Sequence, residues 1–442
     1  MSARTVALEI LRRVEADGAY VDALLGDRMR ALGLSSEDRA FCRELVSGTM
    51  RWRGRLDWVL ARCLRGDLEG LTVSIRNVLR LGAYQILFSD GVPDRAAVYE
   101  SVELAKRVGH PGTARLVNAV LRKVVRERDR IEYPDPEGDP AGYLAVLGSH
   151  PRWLAARWIA RFGMKEASAR CAANNRRRPV SLRVNRLKGT ADALVARLAE
   201  AGFEGKPSDF VEGFVDVEEA QGLFETEAFR AGWFQVQDPS GGLVGLLLDP
   251  QPGERVLDVC AAPGGKTTHA AELMGNVGEI VALDKHSRRV ERIVENVRRL
   301  GIRIVRTVAM DALKYEDGGF DRVLVDVPCS GTGVFARRVD ARWRLKEEDI
   351  GELIELQERL LEKGASLLRK GGRLVYATCS MEEEENEGVV ARFLSRHRSF
   401  MLEPASEMMP LPSGEPFGDF VRTYPHRHGV DGSFAACLRS VA

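Results

Sequence analysis

Apolar residues recur at helical spacing from Thr5 to about Arg130, as in Val6, Ile10, Leu11 and Val14, or Leu79, Ala83, Ile86 and Leu87. Few β-branched alternations interrupt them, so the pattern predicts an all-α domain. It ends in EYPDPEGDP (132–140), whose three prolines and acids make a natural linker. A second, smaller region follows to Gly232. From Trp233 the pattern changes to short apolar strands alternating with helices, the signature of a doubly wound α/β domain. The predicted strands are Arg255–Cys260, Glu279–Asp284, Arg303–Met310, Arg322–Val327 and Arg373–Thr378, with helices around 266–274, 287–300 and 349–369. The acidic run Glu382–Glu385 is expected to open a helix, with Ser380 and Glu383 as its capping box.

Composition bounds these elements. A chain of 442 residues predicts about three domains at roughly 150 residues each. Its 45% hydrophobic and 29% charged residues exclude wholesale disorder or a fibrous repeat. No apolar stretch is long enough to span a bilayer, and the first residues carry charges where a signal peptide needs an apolar block. The expectation is a cytoplasmic monomer without a membrane partner. Seven scattered cysteines with no C-x-x-C pair predict neither a metal site nor a disulfide framework. The net charge of +1 hides a dipole: residues 151–190 hold eleven Lys or Arg and one acid, whereas 191–230 hold ten acids and three bases.

The first α/β turn reads VLDVCAAPGGKTT (256–268). Small residues let a ligand approach the backbone, and the following helix presents N–H groups. A phosphate-binding P-loop would need Gly where Cys260 stands, and the dinucleotide G-x-G-x-x-G is absent. Twenty residues after Gly264, Asp284 ends the second strand, where a ribose-binding acid sits in such folds. Asp311, ending the third, is placed to accept from an adenine amino group. A ribose and an adenine without phosphates point to S-adenosylmethionine. Either aspartate alone is explained as well by helix capping; both together with this loop are not.

Two further motifs follow strands four and five: DVPCSGTGV (326–334) and YATCS (376–380). Ligands gather at the carboxyl ends of strands in doubly wound sheets, so Cys329 and Cys379 are expected to face one pocket. Cys42, Cys63, Cys171 and Cys437 read instead as small buried hydrophobes. A thiol beside a methyl donor suits pyrimidine C5, a poor nucleophile until a thiolate adds to C6. An unperturbed thiol titrates near ~8.5 and needs help from its surroundings. Asp326 is placed to bond the N3 and amino edge of a cytosine.

With these motifs the chain resembles the bacterial ribosomal RNA 5-methylcytosine methyltransferases of the RsmB (Sun, Fmu) family, within the NOL1/NOP2/Sun group. The likeness rests on QDPSGGLV (237–244), LDVCAAPGGKTTHAAELM (257–274), ALDKHSRRVERI (282–293), LVDVPCSGTGV (324–334) and YATCSMEEEENE (376–387). It implies Cys379 as nucleophile and Cys329 as the residue aiding product release. It also implies cofactor contacts at Cys260, Ala261, Ala262, Pro263, Gly264, Gly265, Lys266, Asp284, Asp311 and Asp326. EDRAFCRELVSGTMRWRGRLD (37–57), IRNVLRLGAYQILF (75–88) and LVNAVLRKV (116–124) resemble a NusB-like RNA-binding module. HPRWLAARWIARFG (150–163) and NNRRRPVSLRVN (174–185) are similar to the family's small RNA-binding domain. Val327, Val339 and Ser433 depart from the usual Ala, Pro and aromatic.

The resemblance and the pattern together divide the chain into a NusB-like helical domain (1–132), a small α/β RNA-binding domain (141–232) and a C-terminal Rossmann-like class I methyltransferase domain (233–442). The expected substrate is an unpaired or flipped cytosine of 16S ribosomal RNA. The same chemistry on transfer RNA, or a non-catalytic antitermination factor, are the alternatives. Arg157, Arg161 and Lys165, spaced by four, would form a basic helical stripe, extended by Arg176, Arg177, Arg178, Arg183, Arg186 and Lys188. A solvated helix face is the competing explanation for the stripe, and Trp153, Trp158 and Phe162 read as core.

Overall fold

The computed structural model describes residues 2–31, 33–409 and 417–441, without the side chains of 27–31. The chain divides into two units, residues 1–176 with 335–347, and residues 177–334 with 348–442. The dividing point after Arg176 falls inside the expected middle region.

The first unit is helical: α1 (Ala3–Ala16), α2 (Val21–Ala31), α3 (Ser36–Arg51), α4 (Arg53–Cys63), α5 (Val73–Phe88), α6 (Asp94–Val108) and α7 (Pro111–Glu127), then α8 (Pro140–Leu147) and α9 (Arg152–Asn175). The apolar face read from the sequence is the buried one, with Val6, Ile10, Leu11, Val14, Leu79 and Ala83 all in one core. Starts are capped as polar residues allow: Ser35 accepts from the Asp38 N–H, and His110 and Thr113 form a reciprocal box ahead of α7. Helix α9 is broken at Gly163, whose φ of 76° and ψ of 165° lie outside helical space. This corrects the expected stripe: Arg157 and Arg161 precede the break and Lys165 follows it, so a spacing of four does not align them. Trp158 is fully buried beside His150 and Phe335.

Residues 335–347 leave the second unit's chain at Val334 and pack here. Val339 joins the N-terminal helical core, while Phe335, Ala341 and Leu345 pack around α8 and α9. Arg342, fully buried, donates to the carbonyls of Ser149, Asn174 and Phe335 and to Asn175 Oδ1. Burial lowers its pKa to about 9, which still leaves it charged at neutral pH.

The second unit holds two sheets among its described residues. The smaller is antiparallel, in the order β2-β3-β1-β4, from β1 (Val180–Val184), β2 (Gly205–Pro207), β3 (Phe214–Val217) and β4 (Phe234–Val236). Helix α10 (Ala191–Glu200) covers one face, with Leu194 and Leu198 packed on Leu182, Val184 and Val215.

The larger sheet is β5 (Arg255–Asp258), β6 (Glu279–Asp284), β7 (Val305–Ala309), β8 (Phe320–Asp326), β9 (Leu368–Thr378), β10 (Phe400–Glu403), β11 (Val421–Thr423) and β12 (Ser433–Ser440). Its order is β10-β12-β9-β8-β5-β6-β7, with β11 also on β12. Neighbours from β9 to β7 pair in parallel and those of β12 antiparallel. Alternate residues go to opposite faces: Leu257, Val281 and Val323 on one, Val256, Ile280 and Leu324 on the other. The helices are α11 (Pro239–Leu248), α12 (Gly265–Leu273), α13 (Ser287–Leu300), α14 (Asp349–Leu367) and α15 (Glu387–Arg396). The five strands expected from the sequence are β5 to β9, and β8 lies beside β9, which brings their carboxyl ends to one edge.

Candidate active site

The turn from β5 into α12 is shaped for a ligand. Gly264 has φ +96°, and a Cβ there would meet Ile293 at 3.1 Å, so glycine alone fits without strain. The Ala262–Pro263 bond is cis. Gly264 caps α12 without a side-chain hydrogen bond, leaving first-turn N–H groups to a bound group. Ala261 and Ala262 are buried and Cys260 is half-buried, its thiol pushed up to about 12 chiefly by burial. Pro263 is exposed.

Three carboxylates surround this turn. Asp258 accepts from the Thr267 hydroxyl at 2.6 Å, but its other oxygen is buried with no hydrogen-bond partner, and burial pushes its pKa up to about 7. Asp284, 4% exposed, accepts from the His286 N–H and lies 3.3 Å from Arg289, which also donates to the Ala262 carbonyl. Asp311 accepts from the Leu313 N–H at 3.1 Å and lies 3.8 Å from Lys285. Both aspartates thus do cap the backbone that follows them, and both still stand at strand ends. An orphaned buried carboxylate oxygen, an uncapped helix start and strand-end acids without a phosphate cradle fit a nucleoside with a charged tail, as in S-adenosylmethionine.

Beyond β8 and β9 the two cysteines meet, with Cys329 Sγ 3.3 Å from Cys379 Sγ. Cys329 also accepts from the Cys379 N–H at 3.3 Å. A hydrogen bond to the Cys379 sulfur, with burial, holds the Cys329 thiol well above the ordinary thiol range. Lys266, from the cofactor turn, donates to Asp326 at 2.6 Å. Burial works to lower the Lys266 pKa, but Asp326 and the charge on Cys379 outweigh it, so the ammonium stays protonated within reach of that sulfur's field. The structure therefore brings Lys266, Asp326, Cys329 and Cys379 together, and places Asp258 and Cys260 close enough to interact electrostatically with Asp326. Cys42, Cys63, Cys171 and Cys437 are buried, as expected.

The two cysteine loops are fastened to each other. The Gly333 N–H donates to the Cys379 carbonyl, the Met381 N–H to Thr332 Oγ1, and the Gly432 N–H to the Gly333 carbonyl. A Cβ on Gly333 would lie 2.3 Å from the Gly432 oxygen, so the backbones touch there. The capping box expected at Ser380 and Glu383 is absent. Helix α15 starts only at Glu387, Ser380 Oγ accepts from the Glu382 N–H, and Glu385 turns inward, fully buried. A local pattern of acids cannot signal that a neighbouring loop supplies donors.

The basic segment also needs correction. Arg183 is 2% exposed and donates to Glu272, Thr268 Oγ1, Gln237 and the Gly265 carbonyl, so it braces the cofactor turn from β1 rather than extending a surface. Leu182 and Val184 flank it on the opposite face of β1, an alternation that the run of arginines masks in the sequence. Arg178 is paired with Asp431 at 3.0 Å. Arg176, Arg177, Arg186 and Lys188 are exposed.

This Rossmann-like sheet, its ligand turn and the paired loops define a methyltransferase. Family models match along the chain: the NusB family over 1–126, an RsmF/B-like ferredoxin-like domain over 150–222, and the 16S rRNA methyltransferase RsmB/F over 245–439. The probable ribosomal RNA small subunit methyltransferase B of Bacillus subtilis (strain 168) is 37% identical, over 99% of this chain and 98% of that one. The ribosomal RNA small subunit methyltransferase B of Escherichia coli O1:K1 / APEC is 35% identical over 89% and 90%. Among solved structures, the crystal structure of PH0851 superposes with a TM-score of 0.84 at 29% identity over 99% of both chains. NSun6 from Pyrococcus horikoshii with SFG gives 0.59 at 26% identity, over 67% of this chain and 100% of that one. The chain belongs to the ribosomal RNA small subunit methyltransferase B (RsmB) family.

Proposed function

We propose that the protein transfers a methyl group to C5 of a cytosine in 16S ribosomal RNA, with Cys379 as the nucleophile that activates the base. The observation carrying this reading is the pair of sulfurs 3.3 Å apart at the ends of adjacent strands, beside the Lys266–Asp326 pair. S-adenosylmethionine, held by the turn 260–266 with Asp284 and Asp311, supplies an electrophilic methyl group. Cys379 as thiolate adds to C6, and the electron pair displaced from the C5–C6 double bond makes C5 nucleophilic. Asp326 orients the base by accepting from its exocyclic amino group, and the Lys266 ammonium paired with it offsets the negative charge that shifts into the ring. After transfer, solvent water takes the C5 proton, the C5–C6 double bond reforms, and the S–C6 pair returns to Cys379. Cys329, retaining its proton, donates to that departing sulfur and stabilises it. A buried reaction centre requires the cytosine to leave its stack, so an unpaired or flipped base is the substrate form.

The test is direct. Cys379→Ala should reduce 5-methylcytosine in a 16S transcript, read by bisulfite sequencing, by about 10³-fold or more. Normal methylation by that variant ends the assignment.

A further inference from the structure

Both reactive loops carry the same dipeptide, Cys329-Ser330 and Cys379-Ser380, and a single carboxylate holds the two serines. Glu385 is fully buried. Its Oε1 accepts from the Ser330 N–H at 2.8 Å and from Gln357 Nε2 at 2.9 Å. Its Oε2 accepts from the hydroxyls of both Ser330 and Ser380, which lie 2.9 Å from each other. The anchor is itself fixed: the Tyr376 hydroxyl donates to the Glu385 carbonyl at 2.6 Å, and Gln357 also donates to the Pro328 carbonyl at 3.0 Å. Every one of these bonds joins the loop after β8, the loop after β9, or a strut between them.

A buried carboxylate is costly unless its oxygens are bonded, and this one is bonded by donors from two different loops. Removing it would leave those donors without their shared acceptor and release one loop from the other. The serines are the immediate neighbours of the cysteines, so such release acts on the distance between the sulfurs. We infer that Glu385 is a positioning residue which, through Ser330 and Ser380, sets the separation of Cys329 and Cys379 and so the release of Cys379 from the methylated base. The inference rests on the proposed roles of the two cysteines. In that step the S–C6 bond breaks with its electron pair going to Cys379, and the Cys329 thiol must be within hydrogen-bond distance to stabilise the departing charge. A thiol about 1 Å too far loses most of that interaction.

Two variants and two readouts test it. Glu385→Gln keeps the shape and removes the charge; the double variant Ser330→Ala with Ser380→Ala keeps Glu385 and removes the side-chain donors. In each, kcat on a 16S transcript should fall about tenfold or more with KM for RNA falling alongside it, so that kcat/KM changes less than about twofold, and an RNA–protein adduct should survive denaturing electrophoresis. The second readout needs no turnover. Diamide should close a Cys329–Cys379 disulfide in the unmodified protein, seen by intact mass after alkylation, and closure should slow about fivefold or more in both variants, because disulfide formation requires narrow geometry. Unchanged closure in both variants overturns the clamp. Slower closure with wild-type kcat and no adduct overturns its link to release. Slower closure in a protein whose Cys329→Ala variant also forms no adduct upholds the clamp and refutes instead the release role of Cys329 on which the inference rests.

Discussion

Charge placement at single residues separates the two thiols. Cys329 is bonded to the Cys379 sulfur and its thiol is pushed up, while the Lys266 ammonium acts on Cys379. Two identical side chains thereby sit in different surroundings, as a nucleophile and its helper require. Asp258 offers a test by pH. Its folded pKa of about 7 lies above the ordinary value of 3.8, so in the intervening window the folded chain binds a proton that the unfolded chain has released. The sign follows: this group's contribution to stability is complete below the unfolded value and is lost as pH rises to about 7, with a ceiling of roughly 4 kcal/mol. Asp258→Asn cannot titrate. In urea unfolding of the ligand-free protein, its stability should fall less than that of the unmodified protein between about pH 5 and 8; equal slopes would show that Asp258 is not the buried acid described here. Residue identities at the turn and at both cysteines were legible because motif spacing fixes them. Glu385 was not, because its partners come from another strand's loop, 55 residues away for Ser330.

Elements were legible where one pattern governs them. Alternating apolar residues placed β5 to β9, and Glu279–Asp284 and Ser287–Leu300 have the expected bounds. Boundaries moved where pairing overrides local pattern: β9 starts at Leu368, five residues earlier than expected. The break in α9 was hidden because a lone glycine is compatible with a helical period until its φ turns positive. The same tertiary override ties β1 to the helix that follows the glycine-rich turn, since Arg183 reaches Glu272 on α12 with both side chains buried. Arg183→Met leaves Glu272 buried without its partner. It should lower stability by about 3–5 kcal/mol in denaturant unfolding. Because Arg183 also holds the Gly265 carbonyl, it should weaken S-adenosylmethionine binding in calorimetry. Loss of stability below ~1 kcal/mol with unchanged affinity would deny it both roles.

For the whole molecule, the net charge of +1 says little about partners, because opposite charges are segregated along the chain. Part of the basic stretch serves the interior, through Arg183 and Arg178, and Arg176, Arg177, Arg186 and Lys188 remain exposed. RNA held by such side chains releases counterions, so affinity by fluorescence anisotropy should fall about tenfold or more between 50 and 200 mM salt. Substituting Arg186 and Lys188 by Gln should flatten that dependence; a slope that stays the same would place the phosphate contacts elsewhere. The central claim, that Cys379 bonds to cytosine during methyl transfer, is tested most directly by trapping. Cys329→Ala protein, incubated with a 16S transcript and S-adenosylmethionine and then digested, should yield a peptide carrying methylated cytidine on Cys379 by mass spectrometry. An adduct on any other residue, or full turnover with no adduct when Cys379 is also replaced, would contradict it.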